Sequence, residues 1–224
     1  MPVTFKPAVR ANSQVLVGLF GGTGTGKTYS ALLLARGLAG PNGKIAIADS
    51  EGGRGALFAD VEAIGGYDYT ELEAPFSPEK YVAVIDAAEK NGIDVLVIDS
   101  ASHEWHGIGG VLEMAEANGK SLNAWREPKM KHQRLIARIL SAKIHLILCF
   151  RAKRKTRQVK VPGGKDQVVK DDFYTPMTSD DFLFELLAVA EVVNDPHHTP
   201  HSLRVLKTTH PDVAPFFRTG IVIT

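Results

Sequence analysis

The strongest chemical signal in the chain is the run Gly21-Gly22-Thr23-Gly24-Thr25-Gly26-Lys27-Thr28, which satisfies G-x-x-x-x-G-K-[ST] at every fixed position. Its glycines let main-chain N–H groups converge on phosphate oxygens, and a helix starting where the loop ends adds a partial positive charge. Lys27 then reaches the β and γ phosphates of a nucleoside triphosphate, Thr28 offers a hydroxyl to Mg²⁺, and Tyr29 is the next residue beside the nucleotide. A metal-bound triphosphate also needs a carboxylate that orients the metal's waters, supplied from the C-terminal end of a neighbouring buried strand. Asp99, which closes Val95-Leu96-Val97-Ile98, has that position. Another apolar run, Lys44 to Ala48, ends on Asp49-Ser50-Glu51, where either acid can position or deprotonate the water that attacks the γ phosphate. The expected ligands are ATP and Mg²⁺. No N-K-x-D guanine motif follows the fourth apolar run, which argues against GTP.

These residues need a scaffold that brings strand ends together, and the hydrophobic pattern supplies one. Gln14 to Phe20 is a short apolar run ended by glycines, and Tyr29 to Leu38 carries Ala and Leu nearly all round, as a helix buried on several sides does. Ser77-Pro78-Glu79 opens a capped amphipathic helix with apolar positions at Tyr81, Val82, Val84, Ile85 and Ala88, and Gly92 stands just past its end. A helical stretch from about Ser121 to Ala142, started or kinked by Pro128, leads into the fourth run, Ile144 to Phe150. Strands alternating with helices predict an α/β fold, a mostly parallel central sheet flanked by helices with right-handed crossovers. Beyond Phe150, Gln158 to Val161 and Gln167 to Val169 flank Pro162-Gly163-Gly164, predicting a projecting β-hairpin over about 152–170. Leu186 to Val193, Leu203 to Leu206 and Gly220 to Ile223 read as C-terminal strands, with antiparallel pairing expected. The predicted organisation is a tail over 1–13 and one domain over 14–224.

Composition narrows the class of function. The 224 residues are 44% apolar and carry a formal net charge of only +1, so no global field draws the chain to nucleic acid or membrane. The average hides a local asymmetry: Arg151 to Lys160 holds six Lys or Arg and no acid, and Asp171 to Asp195 holds seven acids and no Lys or Arg. A lone cysteine, Cys149, excludes an intramolecular disulfide and a Cys-rich metal cluster, and fits a reducing cytoplasm. No stretch of eighteen apolar residues occurs, so no membrane span is expected.

The order P-loop, then Ile47-Ala48-Asp49-Ser50-Glu51, then Val95-Leu96-Val97-Ile98-Asp99-Ser100 resembles the ATPase core of RecA-type recombinases over roughly residues 14 to 152. The stretch Asp99 to Trp105 followed by Gly107 to Leu112 is similar, more narrowly, to small phage-encoded Sak-type ATPases of single-strand annealing and recombination. The resemblance implies a RecA-like core, a catalytic role for Glu51, and Phe58 stacked on adenine. It places Arg151 where such proteins carry a γ-phosphate sensor, usually Gln. Arg151 is then a sensor, an arginine finger acting across a subunit interface, or the first charge of the basic run.

In RecA-type proteins the loops after the third and fourth strands face DNA. Here Lys153, Arg154, Lys155, Arg157 and Lys160 would neutralise phosphates, while Trp105 or Trp125 would stack a base. Single-stranded DNA is therefore an expected partner. The basic segment of one subunit can also dock on the acidic segment of the next, and such cores bind ATP between subunits, so a homo-oligomer is expected. Two other functions fit the P-loop: a small-molecule kinase with Ala152 to Arg157 as a lid, and a nucleotide-controlled assembly protein acting through protein contacts.

Overall fold

In this computed structural model the described residues are 5, 7, 14–119, 121–159, 167–193, 202–208 and 221–222. Most of the 1–13 tail, the Pro162-Gly163-Gly164 turn and Lys160 lie outside them. The chain runs β1 (Leu16–Gly21), α1 (Lys27–Ala39), β2 (Ile45–Asp49), β3 (Asp68–Glu71), α2 (Pro78–Lys90) and β4 (Val95–Asp99). It continues through α3 (Ser102–His106), α4 (Val111–Ala117), α5 (Arg126–Leu140), β5 (His145–Val159) and β6 (Gln167–Pro176). It ends with α6 (Asp180–Glu185), β7 (Ala188–Val193), β8 (Ser202–Thr208) and β9 (Ile221–Val222).

The sheet order is β3-β2-β4-β5-β1-β7-β8-β9, with β6 paired to β5. Pairs from β3 through to β7 are parallel, whereas β7–β8, β8–β9 and β5–β6 are antiparallel. The antiparallel C-terminal strands are thus β8 and β9, while β7 joins the parallel part beside β1.

Strands buried on both faces alternate their side chains between two cores. Leu96 and Ile98 of β4, with Leu146, Leu148 and Phe150 of β5, pack against Tyr81 and Ile85 of α2, Leu135 and Ile139 of α5, and Phe182 of α6. Val95 and Val97, with Ile147 and Cys149, face the opposite way onto Ala31, Leu32 and Ala35 of α1. This second contact fixes α1, and with it the loop before it, over the centre of the sheet. Among the described residues no helix is long and apolar enough to cross a membrane.

Helix boundaries follow local chemistry. Ser77 caps α2 by accepting from the Lys80 amide, with Pro78 at the first helical position, where its missing N–H costs nothing. Pro128 likewise sits in the first turn of α5 rather than kinking it, because a short 3-10 turn, Leu122–Trp125, precedes the helix. The fourth apolar run does not stop at Phe150. β5 continues through the basic segment to Val159 and pairs with β6 from Ala152↔Pro176 to Val159↔Gln167, so the hairpin is a ribbon longer than the turn residues alone indicate.

Candidate functional site

Parallel strands in register bring their C-terminal ends into one line. Gly21 pairs with Arg151, Cys149 with Asp99, and Asp99 with Asp49, so β1, β4 and β2 deliver their last residues beside residues 149 to 151 of β5. The P-loop bridges β1 and α1. Gly26, at φ 89°, holds the left-handed conformation that lets the chain turn into α1, and a Cβ on Gly21 would lie 2.7 Å from the Val192 carbonyl oxygen. α1 is 13 residues long, and the positive end of its dipole faces the loop.

Lys27 Nζ donates to the carbonyl oxygens of Gly22 at 2.9 Å and Gly21 at 3.2 Å, so its ammonium is stationed inside the loop curve. Thr28 Oγ1 donates to Asp99 Oδ2 at 2.5 Å, joining the first turn of α1 to the end of β4. Asp99 is 3% exposed, and burial pushes its carboxyl up to about 6; the Thr28 hydrogen bond and Lys27 lower it, while Glu51 and Asp49 add to the rise. A buried carboxylate that is costly to ionise alone and is bonded to a hydroxyl is the hard-oxygen pair that Mg²⁺ favours.

Asp49 and Glu51, both open on residue chemistry and with Glu51 favoured by the resemblance, separate in the structure. Asp49 is buried and spent on the backbone: its Oδ1 accepts from the Glu51 amide at 2.6 Å, and its Oδ2 from the Gly55 amide at 2.8 Å and the Tyr69 hydroxyl at 3.3 Å. It shapes the turn that presents Glu51. Glu51 points into the cleft, and Arg151 grips both of its oxygens, with Nε to Oε1 at 2.7 Å and Nη2 to Oε2 at 2.6 Å. Burial would raise the Glu51 carboxyl, but that bidentate bond and charge, helped by His103 and Arg54, leave it below the ordinary carboxylate value. This reciprocal grip raises the Arg151 guanidinium in turn.

Serines hold the strand ends together. Ser50 N donates to the Asp99 carbonyl at 2.6 Å, Ser50 Oγ accepts from Ser100 N at 2.9 Å, and Ser102 Oγ accepts from Arg151 N at 2.9 Å. The resulting cleft, about 890 Å³, is lined by P-loop residues with Glu51, Asp99 and Arg151 and closed on one side by Arg54, Leu57 and Phe58. Phe58 stands 5.8 Å from Tyr29 between ring centroids, so both aromatic residues expected at the nucleotide share one wall. Leu57, 74% exposed, Arg54 and Met177 also line the cleft and carry no motif that would have marked them.

The residues expected to meet nucleic acid divide into two places. Lys153, Arg154 and Lys155 are exposed on β5, directly after Arg151, and the Arg154 guanidinium lies 5.1 Å from the Tyr174 ring centroid. Tyr174 in turn abuts the P-loop: a Cβ on Gly22 would sit 3.1 Å from its hydroxyl. Arg157 lies on the paired part of β5, opposite Val169, and Lys160 is outside the described residues. Trp105 is elsewhere, 4.8 Å from the His132 ring and 6.5 Å from Trp125, in a separate cleft of about 620 Å³ rimmed by Asp180 and Asp181. Beneath it Glu104, fully buried, meets His132 Nδ1 at 2.9 Å, and His132 Nε2 lies 2.7 Å from Ser179 Oγ, which also caps α6.

A phosphate loop between a central parallel strand and its helix, with acids ending the strands beside it, defines a P-loop nucleoside triphosphatase. A family model described as an AAA domain matches residues 13–215, and the chain belongs to that family, whose members are ATPases: it binds and hydrolyses ATP. No curated protein matches the sequence.

Proposed function

We propose that this ATPase acts on single-stranded DNA in annealing, recombination or replication, with hydrolysis carried out by Glu51 and reported by Arg151. The observation that carries the reading is the continuity of β5. Its residue 151 grips the Glu51 carboxylate, and its next residues form an exposed basic edge whose Arg154 rests on Tyr174 against the P-loop.

In this mechanism the loop amides and the α1 amino end bind the phosphates, and Lys27 moves its ammonium from the Gly21 and Gly22 carbonyls to the β and γ oxygens. Thr28 and Asp99 are the residues that would hold Mg²⁺, which when bound spreads the charge of the β and γ phosphates. Glu51 with both oxygens engaged by Arg151 is a poor base. The planar guanidinium suits a γ phosphate as well as it suits a carboxylate, so exchange of Arg151 from one to the other frees Glu51 only when triphosphate is present. Glu51 then takes the proton of the attacking water. Phosphate groups of a DNA strand would meet Lys153, Arg154 and Lys155 a few residues away.

The test is ATP turnover with and without single-stranded DNA across a salt series. Stimulation that fades as salt rises supports the reading, and turnover indifferent to any DNA at low salt refutes it. The Arg151–Glu51 pair favours a second reading, a nucleotide-controlled assembly protein in which hydrolysis is slow and ATP-dependent oligomerisation is the output. Slow turnover unaffected by DNA, together with a size in light scattering that grows with a non-hydrolysable ATP analogue, would select it.

A further inference from the structure

We propose that His103 is a positioning residue for Glu51, holding the carboxylate in place once Arg151 has left it for the γ phosphate; this rests on the catalytic reading of Glu51 above. His103 is the second residue of α3, whose start is fixed directly after β4 because Ala101 N donates to the Cys149 carbonyl and Ser102 N to Ser100 Oγ. Its side chain is 12% exposed, and its ring lies 4.9 Å from that of Phe76 at 33°, so it has little room to turn. One nitrogen, Nδ1, is 2.7 Å from Ser50 Oγ; the other, Nε2, is 3.9 Å from Glu51 Oε1, behind the bidentate contact made by Arg151.

The tautomer follows from the partners of Ser50. Its hydroxyl oxygen already accepts from Ser100 N, and its one hydrogen has two acceptors within reach, His103 Nδ1 at 2.7 Å and the Ser100 carbonyl at 3.3 Å. The shorter contact directs that hydrogen to Nδ1, which puts the ring proton on Nε2, facing Glu51. The Ser100 carbonyl does not go short, because the Tyr81 hydroxyl donates to it at 3.1 Å. Around the ring stand Asp49, Ser50 and Glu51 from the end of β2, Arg151 from β5, Ser100 beyond β4 and Phe76 before α2. Burial and Arg151 lower the imidazole against the opposing pull of Glu51 and Asp49, which keeps it neutral at neutral pH.

Two groups therefore address one carboxylate in sequence. Arg151 holds both oxygens while the γ phosphate is absent. When Arg151 swings away, a rotation of Glu51 closes the gap to Nε2–H, and one oxygen stays anchored while the other is turned to the water. A neutral donor depresses the basicity of Glu51 less than a guanidinium does, so the carboxylate it anchors is the better base.

The experiment is steady-state ATP hydrolysis by His103→Ala, His103→Gln and Ser50→Ala, with thermal melting of each. Loss of the anchor misplaces the base, so His103→Ala should lower kcat by about 10- to 100-fold with KM for ATP near wild type. His103→Gln keeps an N–H donor at similar reach and should recover kcat to within about threefold of wild type. Ser50→Ala, which frees the tautomer, should fall between them. Unchanged kcat in His103→Ala overturns the proposal, and so does a loss that Gln does not recover in a protein melting like wild type. Should His103→Ala not fold, wild-type kcat in Ser50→Ala overturns it as well. Failure of the reading beneath it looks different: Glu51→Gln would then turn over ATP as fast as wild type.

Discussion

Asp99→Asn should make the protein more stable while disabling it, and the pH dependence of the gain is fixed by burial. The Asp99 carboxyl titrates at about 6 in the fold against an ordinary 3.8, with burial as the main cause. At about 1.4 kcal/mol per pH unit, that gap makes the ionised carboxylate cost about 3 kcal/mol of stability at pH 8. Below pH 3.8 the group is protonated in both folded and unfolded chains and costs nothing. As pH rises towards 6 the unfolded chain releases its proton first, so wild-type stability falls through this window and is flat above it. Asparagine is nearly isosteric, carries no charge, and its carbonyl can still accept from Thr28. Urea unfolding in the absence of divalent cations should show the variant about 2 to 3 kcal/mol more stable than wild type at pH 8, with the gain shrinking to under about 1 kcal/mol near pH 4. Adding Mg-ATP should reverse the order, because ligand at about a thousand times its dissociation constant stabilises wild type by about 4 kcal/mol, more than its deficit, and the variant far less. A variant less stable than wild type at pH 8 without metal would refute the argument that Asp99 is held ionised against its surroundings for the sake of a bound cation.

Glu51→Gln should lower kcat by about 10²- to 10⁴-fold while ATP affinity, followed by fluorescence of a labelled nucleotide, stays near wild type. Gly26→Ala forces a side chain into the left-handed conformation at φ 89° and should cost about 1 to 2 kcal/mol in chemical denaturation, with a loss of ATP affinity from the displaced α1 amino end. Reversing Lys153 and Lys155 together to Glu should weaken single-stranded DNA binding at every sequence and reduce the slope of log affinity against log salt by about 2, leaving basal ATP turnover unchanged.

The phosphate site was legible because its chemistry leaves almost no choice of residue. Gly26, Lys27 and Thr28 are the residues that the backbone conformation, charge and metal of a phosphate loop would call for, and Asp99 stands at the end of a buried strand, where the structure joins it to Thr28. Between Asp49 and Glu51 the sequence held both options, and only the hydrogen bonds of Asp49 to Glu51 N and Gly55 N separate the organiser from the acid in the cleft. β5 was visible only as far as Phe150, since Arg151 to Val159 is strand by virtue of pairing with β6 and not by apolar alternation. β3, four exposed residues at the sheet edge, and α3, a single turn, are too short to show a period. The bond between Arg151 and Glu51 spans 100 residues of sequence, and the buried Glu104–His132 pair spans 28. Such contacts follow from strand order, which a local pattern does not encode.

Calorimetric titration of a non-hydrolysable ATP analogue, with Mg²⁺, into wild type and Lys27→Ala tests the central claim most directly. One saturable site in wild type, and binding at least tenfold weaker once the ammonium inside the loop is gone, is the expected pair of results. No heat with folded wild type, or equal affinity in the two proteins, would contradict a triphosphate held by residues 21–28.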